Sequence, residues 1–418
     1  MKEIEQLIAS AEEELKESFA RIDANEEVRT RRILDSFRRH GVSYRHFAPS
    51  TGYGYDDIGR DTLEKIFADV FHTEAALMRP HVASGTAALS LTLFGLTRPG
   101  ERILSATGMP YDTLLGVIGT GADTPPGSLK EMGVGFDCVE LKDGRIDTEA
   151  VESALTERTT LVIAQRSRGY AWRPSLFPED FRELADLLHT RHPGVALMVD
   201  NCYGEFVREN EPTDCGADVC VGSLIKNPGG GIAPTGGYVA GKAALVERVA
   251  CRLTAPGLGR ELGSYAASYR PFYQGLFMAP HTVAQALKTA LLTSRVFENL
   301  GIETSPASTE TRADIIQAVK MGTPERLVAF CQGLQTASPV DSMALPEPWD
   351  MPGYEDPVVM AAGTFVAGAS IELSADGPIR PPYTAYMQGG LTYTHGKIAL
   401  TEALERMEKT GAMTFRQP

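Results

Sequence analysis

The stretch Gly222-Ser-Leu-Ile-Lys226-Asn-Pro-Gly-Gly-Gly231 places a serine and a lysine directly before a glycine-rich turn. Upstream, the apolar run Val195-Ala-Leu-Met-Val199 ends in Asp200. An apolar run of this kind is typical of a buried strand, and an acid at its end would lie at the carboxyl edge of a sheet. The interval between Asp200 and Lys226 leaves room for one crossover and one further strand. The stretch therefore predicts a lysine and a carboxylate close together at one edge of an α/β sheet.

Short β-rich runs alternate with helical patterns from residue 80 to about residue 240. This alternation favours a mostly parallel sheet covered by helices on both faces, in which ligands bind beyond the carboxyl ends of the strands. The predicted strands span residues 102–106, 136–141, 160–164, 195–199, 219–222 and 237–240. The predicted helices include residues 86–96, 147–155 and 179–189.

The chain divides into three predicted segments: an N-terminal helical arm (1–50), a large domain (51–255), and a long helix with a small C-terminal α+β domain (256–418). In the arm, apolar residues recur at three- and four-residue steps through 2–24, which predicts an amphipathic helix. Such a terminal helix often packs on a partner subunit. Further helices are predicted over 281–300 and 395–409.

The composition excludes several classes of protein. Of 418 residues, 43% are hydrophobic and 22% charged, as in ordinary globular proteins, and the net charge of −14 disfavours a nucleic-acid binder. The six cysteines form no C-x-x-C pair, so neither a metal site nor a disulfide framework is indicated. The charged N-terminus and the absence of a long apolar run predict neither a signal peptide nor a membrane span. We expect a cytoplasmic protein with reduced thiols.

Five features together match a site for pyridoxal 5'-phosphate (PLP), an aldehyde cofactor that a lysine amine holds as an imine. Lys226 would form the imine and later move the α-proton of a substrate. Asp200 would keep the pyridine nitrogen protonated. The triplet Ser84-Gly85-Thr86 opens a helix, where backbone N–H groups and hydroxyls can bind a phosphate, and Ser223 could supply a further hydroxyl.

The last two features are an aromatic residue and an arginine. Tyr111, in Thr107-Gly-Met-Pro-Tyr-Asp-Thr113, could stack on the pyridine ring. Arg380, held stiffly between prolines, could bind a substrate α-carboxylate in bidentate fashion. Each feature alone has an ordinary structural explanation, such as a helix cap or a surface arginine. Their joint occurrence in this order predicts the cofactor.

Several long stretches carry a resemblance to a known family. The chain resembles the fold-type I PLP enzymes of the cystathionine/methionine γ-lyase group, in particular the bacterial branch labelled "aluminium resistance protein". The resemblance implies an aspartate-aminotransferase-like large domain, a small C-terminal domain, and a dimer or tetramer with shared active sites. The stretches span nearly the whole chain and include SGTAALSL (84–91), QRSRGY (165–170), GSLIKNPGGGIAPTGGYVAGK (222–242) and ELSADGPIRPPY (372–383).

The resemblance also implies roles for individual residues. It makes Lys226 the imine lysine, Asp200 the partner of the ring nitrogen and Arg380 the carboxylate clamp. Further implied contacts come from a glycine-rich loop and from the end of a strand: Tyr55 and Arg60 would reach the phosphate of the neighbouring subunit, and Arg166 and Ser167 would lie near the substrate. The catalytic candidates are Lys226, Tyr111 and Tyr55.

Three residues depart from the pattern of that branch. Ala87 stands where a histidine is expected, Met109 replaces a lysine, and Trp172 occupies the position of a small residue. Met109 and Trp172 are expected near the substrate. The departures indicate either an altered substrate or leaving group, or lineage drift.

The leading functional hypothesis is a γ- or β-elimination on a small amino acid by a homo-oligomeric carbon–sulfur lyase. One alternative is elimination of a γ-halide from a chlorinated vinyl amino acid, which gives an alkynyl amino acid in specialised metabolism. Aldol cleavage and transamination are alternatives within PLP chemistry. The alternative from another class is a non-catalytic stress or metal-tolerance protein that keeps the fold.

Overall fold

The computed structural model describes residues 2–120, 124–351 and 354–415. Its two sheets are built from strands β1 (Ala75–Arg79), β2 (Arg102–Ser105), β3 (Gly135–Cys138), β4 (Thr159–Gln165), β5 (Ala196–Asp200), β6 (Val219–Ser223), β7 (Gly237–Gly241), β8 (Thr304–Ser305), β9 (Gln317–Lys320), β10 (Val358–Ala361), β11 (Ser374–Pro378) and β12 (Thr384–Gln388). The α-helices are α1 (Lys2–Glu14), α2 (Lys16–Arg39), α3 (Ile58–Val70), α4 (Gly85–Leu96), α5 (Asp112–Ile118), α6 (Thr148–Ala154), α7 (Arg182–Arg191), α8 (Ala243–Leu253), α9 (Arg270–Asn299), α10 (Pro324–Thr336) and α11 (Tyr393–Lys409).

The large sheet has seven strands in the order β1-β7-β6-β5-β4-β2-β3. The strands from β6 to β3 run parallel, whereas β7 is antiparallel to both of its neighbours. Successive residues face separate cores: Val219 and Val221 pack in one, and Cys220 packs in the other. Both faces are therefore buried, as parallel sheets require. The predicted α/β fold and its six predicted strands are confirmed, and β1 is the strand that the sequence pattern missed.

The small sheet has five antiparallel strands in the order β10-β11-β12-β9-β8. One face packs on α9 and α10 through residues such as Ala375, Ala385 and Met387. Because successive side chains in a strand point to opposite faces, Asp376 and Tyr386 project from the other face. These two residues are directly opposite each other in the register of β11 and β12. This second face closes the cavity described below.

Helix α9 connects the cores of the two sheets. Its first half buries Phe272 and Leu276 in the core of the large sheet, and its second half buries Leu292 and Val296 in the core of the small sheet. The helix begins at Arg270, earlier than the predicted residue 281, and it contains Pro280. Proline usually ends or kinks a helix, so the local pattern alone does not predict this length.

The N-terminal arm packs on its own chain. Ile4, Ile8, Ala11 and Leu15 belong to the core of the small sheet. The predicted single helix is divided at Leu15, where α1 ends and α2 begins. The apolar stripe is thus buried within the chain, which corrects the expectation that it packs on a partner subunit. Within the described residues, no helix is long and apolar enough to cross a membrane.

This packing predicts a difference between two substitutions in α1. Ile8→Ala removes a buried side chain from the core of the small sheet and should lower the free energy of unfolding by about 2–5 kcal/mol. Glu5→Ala, on the exposed side of the same helix, should change it by less than about 0.5 kcal/mol. Urea unfolding measures both values, and equal values would contradict the packing.

Candidate functional site

A cavity of about 600 Å³ lies between the carboxyl ends of the large-sheet strands and the face of the small sheet that carries Asp376 and Tyr386. It gathers side chains that are far apart in the sequence. Of the predicted site residues, the structure brings ten to its walls: Ser84, Gly85, Thr86, Met109, Tyr111, Ser167, Asp200, Ser223, Lys226 and Arg380.

Lys226 and Asp200 both line the cavity, and the charge of each acts on the pKa of the other. Asp200 ends β5, and its Oδ1 accepts a hydrogen bond from the backbone N–H of Cys202 at 3.1 Å. Burial raises the pKa of Asp200, although the charge of Lys226 favours the carboxylate. Burial lowers the pKa of Lys226, but Cys202, Tyr203 and Asp200 raise it by more. Its Nζ lies 3.9 Å from the centre of the Tyr203 ring.

The start of α4 forms a second part of the wall. Ser84 caps the helix, because its Oγ accepts a hydrogen bond from the Ala87 N–H at 3.0 Å. A Cβ atom on Gly85 would lie 3.1 Å from the Cβ of Ser223, so glycine permits the close approach of helix and strand. The Ser223 hydroxyl is buried and has no hydrogen-bond partner among the described residues. A helix N-terminus with an unpaired hydroxyl beside it is suited to bind an anion.

Tyr111 is held from two sides. Its backbone N–H donates to Oε1 of Gln165 at 2.9 Å, and its hydroxyl is 2.9 Å from Oγ1 of Thr86. Burial raises the pKa of Tyr111, so the group stays a phenol at neutral pH. Tyr111 is therefore fixed beside the start of α4, where its phenol can donate a hydrogen bond. Its stacking on the pyridine ring stays a prediction.

Two predicted substrate contacts do not reach the cavity. Arg166 is fully buried behind the strand ends, where it donates to the Leu176 carbonyl at 3.0 Å and to Oδ1 of Asn201 at 2.6 Å. Trp172 also lies outside the cavity lining, with the Nζ of Lys320 4.2 Å from its ring centre. Both side chains are occupied by contacts within the protein, so the structure does not bring them to the substrate side.

Tyr55 and Arg60 also lie outside the cavity of their own chain. Arg60 is buried and donates to the backbone carbonyls of Gly54 and Gly263 at 2.8 and 3.2 Å. Tyr55 is 54% exposed and stacks on Tyr53, with ring centres 5.6 Å apart. Their contact with the phosphate of a neighbouring subunit stays a prediction.

The remaining predicted residues lie near the cavity rim. Arg380 is half-exposed, and its Nη1 donates to Oδ2 of Asp356 at 2.9 Å. Met109 lines the cavity, and its sulfur is 3.5 Å from that of Cys138. Ala87 lies in the first turn of α4, outside the lining. Of the three departures from the family pattern, Met109 is the one that the structure brings to the cavity.

The sequence reasoning missed Arg168. This residue lines the cavity, is only 3% exposed, and has no hydrogen-bond partner for Nε or Nη1 among the described residues. Burial lowers its pKa, although the Asp314 carboxylate opposes this. A buried guanidinium without hydrogen-bond partners destabilises the folded protein unless a bound ligand accepts its hydrogen bonds. The matched stretch QRSRGY contained this residue, but nothing local distinguished it from Arg166.

The small sheet contributes a further group of residues that the sequence reasoning missed. Asp376, Tyr386 and Gln388 line the cavity from β11 and β12. Tyr170 and Tyr354 reach it from neighbouring loops. Alternation along β11 and β12 could have assigned Asp376 and Tyr386 to one face, but not identified what that face covers.

Comparison with known proteins defines the family. The family model described as methionine gamma-lyase matches residues 4–408. The chain belongs to the methionine γ-lyase family. It is 53% identical over 377 residues to the uncharacterized protein YnbB of Bacillus subtilis (strain 168), covering 90% of each sequence.

Solved structures agree with this assignment. A structure from Clostridium novyi NT, described as a carbon-sulfur lyase involved in aluminum resistance, aligns with a TM-score of 0.93 at 48% identity and covers 97% of this chain and 96% of that chain. The pyridoxal-5'-phosphate dependent protein YhfS from Escherichia coli aligns with a TM-score of 0.61 at 19% identity, covering 92% and 97%, and shows the same fold. The resemblance seen in the sequence is confirmed, and the family is one of PLP-type lyases.

The residues of the cavity fit PLP. Lys226 provides an amine for the aldehyde, and Asp200 provides a carboxylate for the ring nitrogen. The start of α4 and the unpaired Ser223 hydroxyl provide a binding site for the phosphate. Among residues 2–120, 124–351 and 354–415, no group of three or more His, Cys, Asp or Glu side chains could hold a metal ion.

The unpaired hydroxyl of Ser223 gives a testable prediction. Ser223→Ala should weaken PLP binding about 10- to 100-fold, because a hydrogen bond to a charged group contributes about 1.5–3 kcal/mol. Ser370→Ala is the matched control, since Ser370 is another buried hydroxyl without a partner but lies outside the cavity lining. Absorbance titration of the apoprotein measures both affinities. Equal affinities in the two variants would show that Ser223 does not bind the cofactor.

Proposed function

We propose that the protein is a PLP-dependent lyase that eliminates a γ- or β-substituent from an amino acid, with cleavage of a carbon–sulfur bond as the leading reaction. The observation that carries the proposal is the enclosed pair of Lys226 and Asp200 at the carboxyl ends of β6 and β5. The description of the Clostridium novyi relative as a carbon-sulfur lyase supports the leaving group. A cytoplasmic location and a homo-oligomeric assembly belong to the same proposal.

Each part of the cavity would hold one part of the cofactor. Lys226 would hold the aldehyde carbon, Asp200 would keep a proton on the ring nitrogen, and Ser84, Thr86 and Ser223 would bind the phosphate. When bound, the cofactor supplies an electron sink that stabilises negative charge on the α-carbon of the substrate.

Lys226 would carry out the first proton transfers, with the Tyr111 phenol beside it in the cavity lining. The Lys226 amine, when free, would take the α-proton of the bound substrate. For γ-elimination a β-proton must also leave, and Lys226 can be the base again once it has passed the first proton to water. The Tyr111 phenol, held by Thr86, can donate a hydrogen bond but keeps its proton, because burial raises its pKa.

Two arginines could hold the substrate carboxylate. Arg380 is at the rim and already paired with Asp356, whereas Arg168 is buried in the wall, with no hydrogen-bond partner for Nε or Nη1 among the residues that the structure describes. Binding a carboxylate would satisfy the Arg168 guanidinium and orient the substrate. We therefore propose that Arg168 shares or takes over the role expected of Arg380.

A substrate panel tests the proposed function. The holoenzyme is incubated with methionine, cystathionine, cysteine and γ-halogenated amino acids, including a chlorinated vinyl amino acid, and keto acid, thiol and halide are measured. We expect keto acid and thiol from a sulfur substrate with the wild type and with the surface variant Lys65→Ala, and none with Lys226→Ala.

The other hypotheses give different products in the same assay. Halide release without thiol release would favour the halide alternative, whereas an aldehyde or pyridoxamine phosphate would indicate aldol cleavage or transamination. The absence of turnover with every substrate would contradict the enzyme and favour a non-catalytic protein.

The proposed carboxylate contact predicts a change in KM. Arg168→Gln removes two or more charged donors from the cavity and should raise KM about 10- to 100-fold. Arg380→Gln should have a smaller effect, because Arg380 is half-exposed and paired with Asp356. Steady-state kinetics with the best substrate of the panel, together with the PLP absorbance of each variant, separates lost substrate binding from misfolding. An unchanged KM in Arg168→Gln would exclude this role.

A further inference from the structure

Asp376 is a carboxyl group whose position in the cavity has no role in the steps above. It lies in the middle of β11, between residues that pack in the small-sheet core, and its side chain points the other way, into the cavity. Among the described residues of the small sheet, Asp376 brings a titratable carboxyl to the part of the cavity lining that faces Lys226. Packing alone does not require an acid at this position, since a polar amide or an apolar side chain would fill the same space.

The groups around Asp376 come from five elements. Tyr170 follows β4 and lowers the pKa of the carboxyl, Tyr354 precedes β10, and Tyr386 lies opposite on β12. Cys331 lies behind the strand on α10, and Lys226 is the basic group that acts on the carboxyl among the described residues. Asp376 is thus surrounded by phenols and a thiol, and Lys226 is the cation that acts on its carboxyl among the described residues.

This environment allows the carboxyl to keep its proton. Burial raises the pKa of Asp376 to about 7, although Tyr170 and Lys226 favour the charged form. A group whose pKa is near the working pH is suited to general acid catalysis, because it holds a proton and also releases it readily. Tyr111, by contrast, is held by Thr86 at the start of α4, on the large-sheet side of the cavity.

We propose that Asp376 is the general acid that protonates the departing sulfur of the substrate, an inference that rests on the proposed elimination. When the carbon–sulfur bond breaks, its electron pair goes to sulfur. The O–H bond of Asp376 breaks in the same step, and its proton joins the sulfur, so that a thiol leaves instead of a thiolate. Lys226 gives the proton it took from the substrate to water, and Asp376 regains a proton from water, so the protons balance over one turnover.

The test compares two leaving groups on one carbon skeleton. A thioether substrate needs a proton on sulfur, whereas the corresponding halide leaves without one. With the thioether, Asp376→Asn should lower kcat about 10²- to 10⁴-fold, the usual contribution of a general acid. With the halide the loss should stay below about tenfold. Asp137→Asn, an exposed acid on β3, should match the wild type with both substrates.

The pH dependence provides a second readout. Because the protonated carboxyl is required, kcat of the wild type with the thioether should fall as pH rises through the pKa of Asp376. This limb should be absent in Asp376→Asn. In Tyr170→Phe it should move to higher pH, because the Tyr170 hydrogen bond favours the carboxylate and lowers the pKa.

The possible outcomes separate the two proposals. If the wild type converts neither substrate, the proposed function fails. If the wild type converts both and Asp376→Asn loses the same factor with each, the elimination stands and the acid role of Asp376 is overturned. If Asp376→Asn does not fold or take up PLP, Tyr170→Phe decides: a shifted limb supports the role, and an unchanged limb overturns it.

Discussion

The rest of the structure depends on a lysine and an aspartate that share a position shielded from water. Taking a charged amine and a carboxylate out of water costs several kcal/mol for each group, and their mutual attraction offsets this only in good geometry. Asp200 and Lys226 reach that position because they end or follow adjacent parallel strands, β5 and β6. The helices on both faces of the large sheet, and the small sheet across the cavity, keep the pair enclosed.

The two sheets contribute different chemistry to the cavity. The large sheet and α4 supply the Lys226 amine, the Asp200 carboxylate and the phosphate-binding site at the start of α4, which together suit PLP. The small sheet supplies Asp376 and Tyr386, which face the space left for the substrate. Helix α9 is buried in both cores, so the two walls are held at a defined separation by one continuous element. In the proposed function, the lysine and the aspartate would bind the cofactor, and the small sheet would face the bond that breaks.

The parts of the site that could be predicted from the sequence were local. Lys226, Asp200 and the start of α4 each lie at a strand end or helix start, and such positions follow from hydrophobic runs and capping residues. The choice between Arg166 and Arg168 could not be predicted, because it depends on how the chain turns beyond β4. There, contacts with Leu176 and Asn201 hold Arg166 behind the strand ends and leave Arg168 facing the cavity. Asp376 was missed for a similar reason, since its role depends on a sheet that meets the first one only in the folded chain.

The most direct test of the account is the site of covalent attachment. The protein is loaded with PLP, reduced with borohydride, digested and analysed by mass spectrometry. The account predicts that the reduced cofactor is found on the peptide that carries Lys226, with no other lysine labelled to a comparable extent. A protein that takes up no label, or one labelled mainly at another lysine, would contradict it.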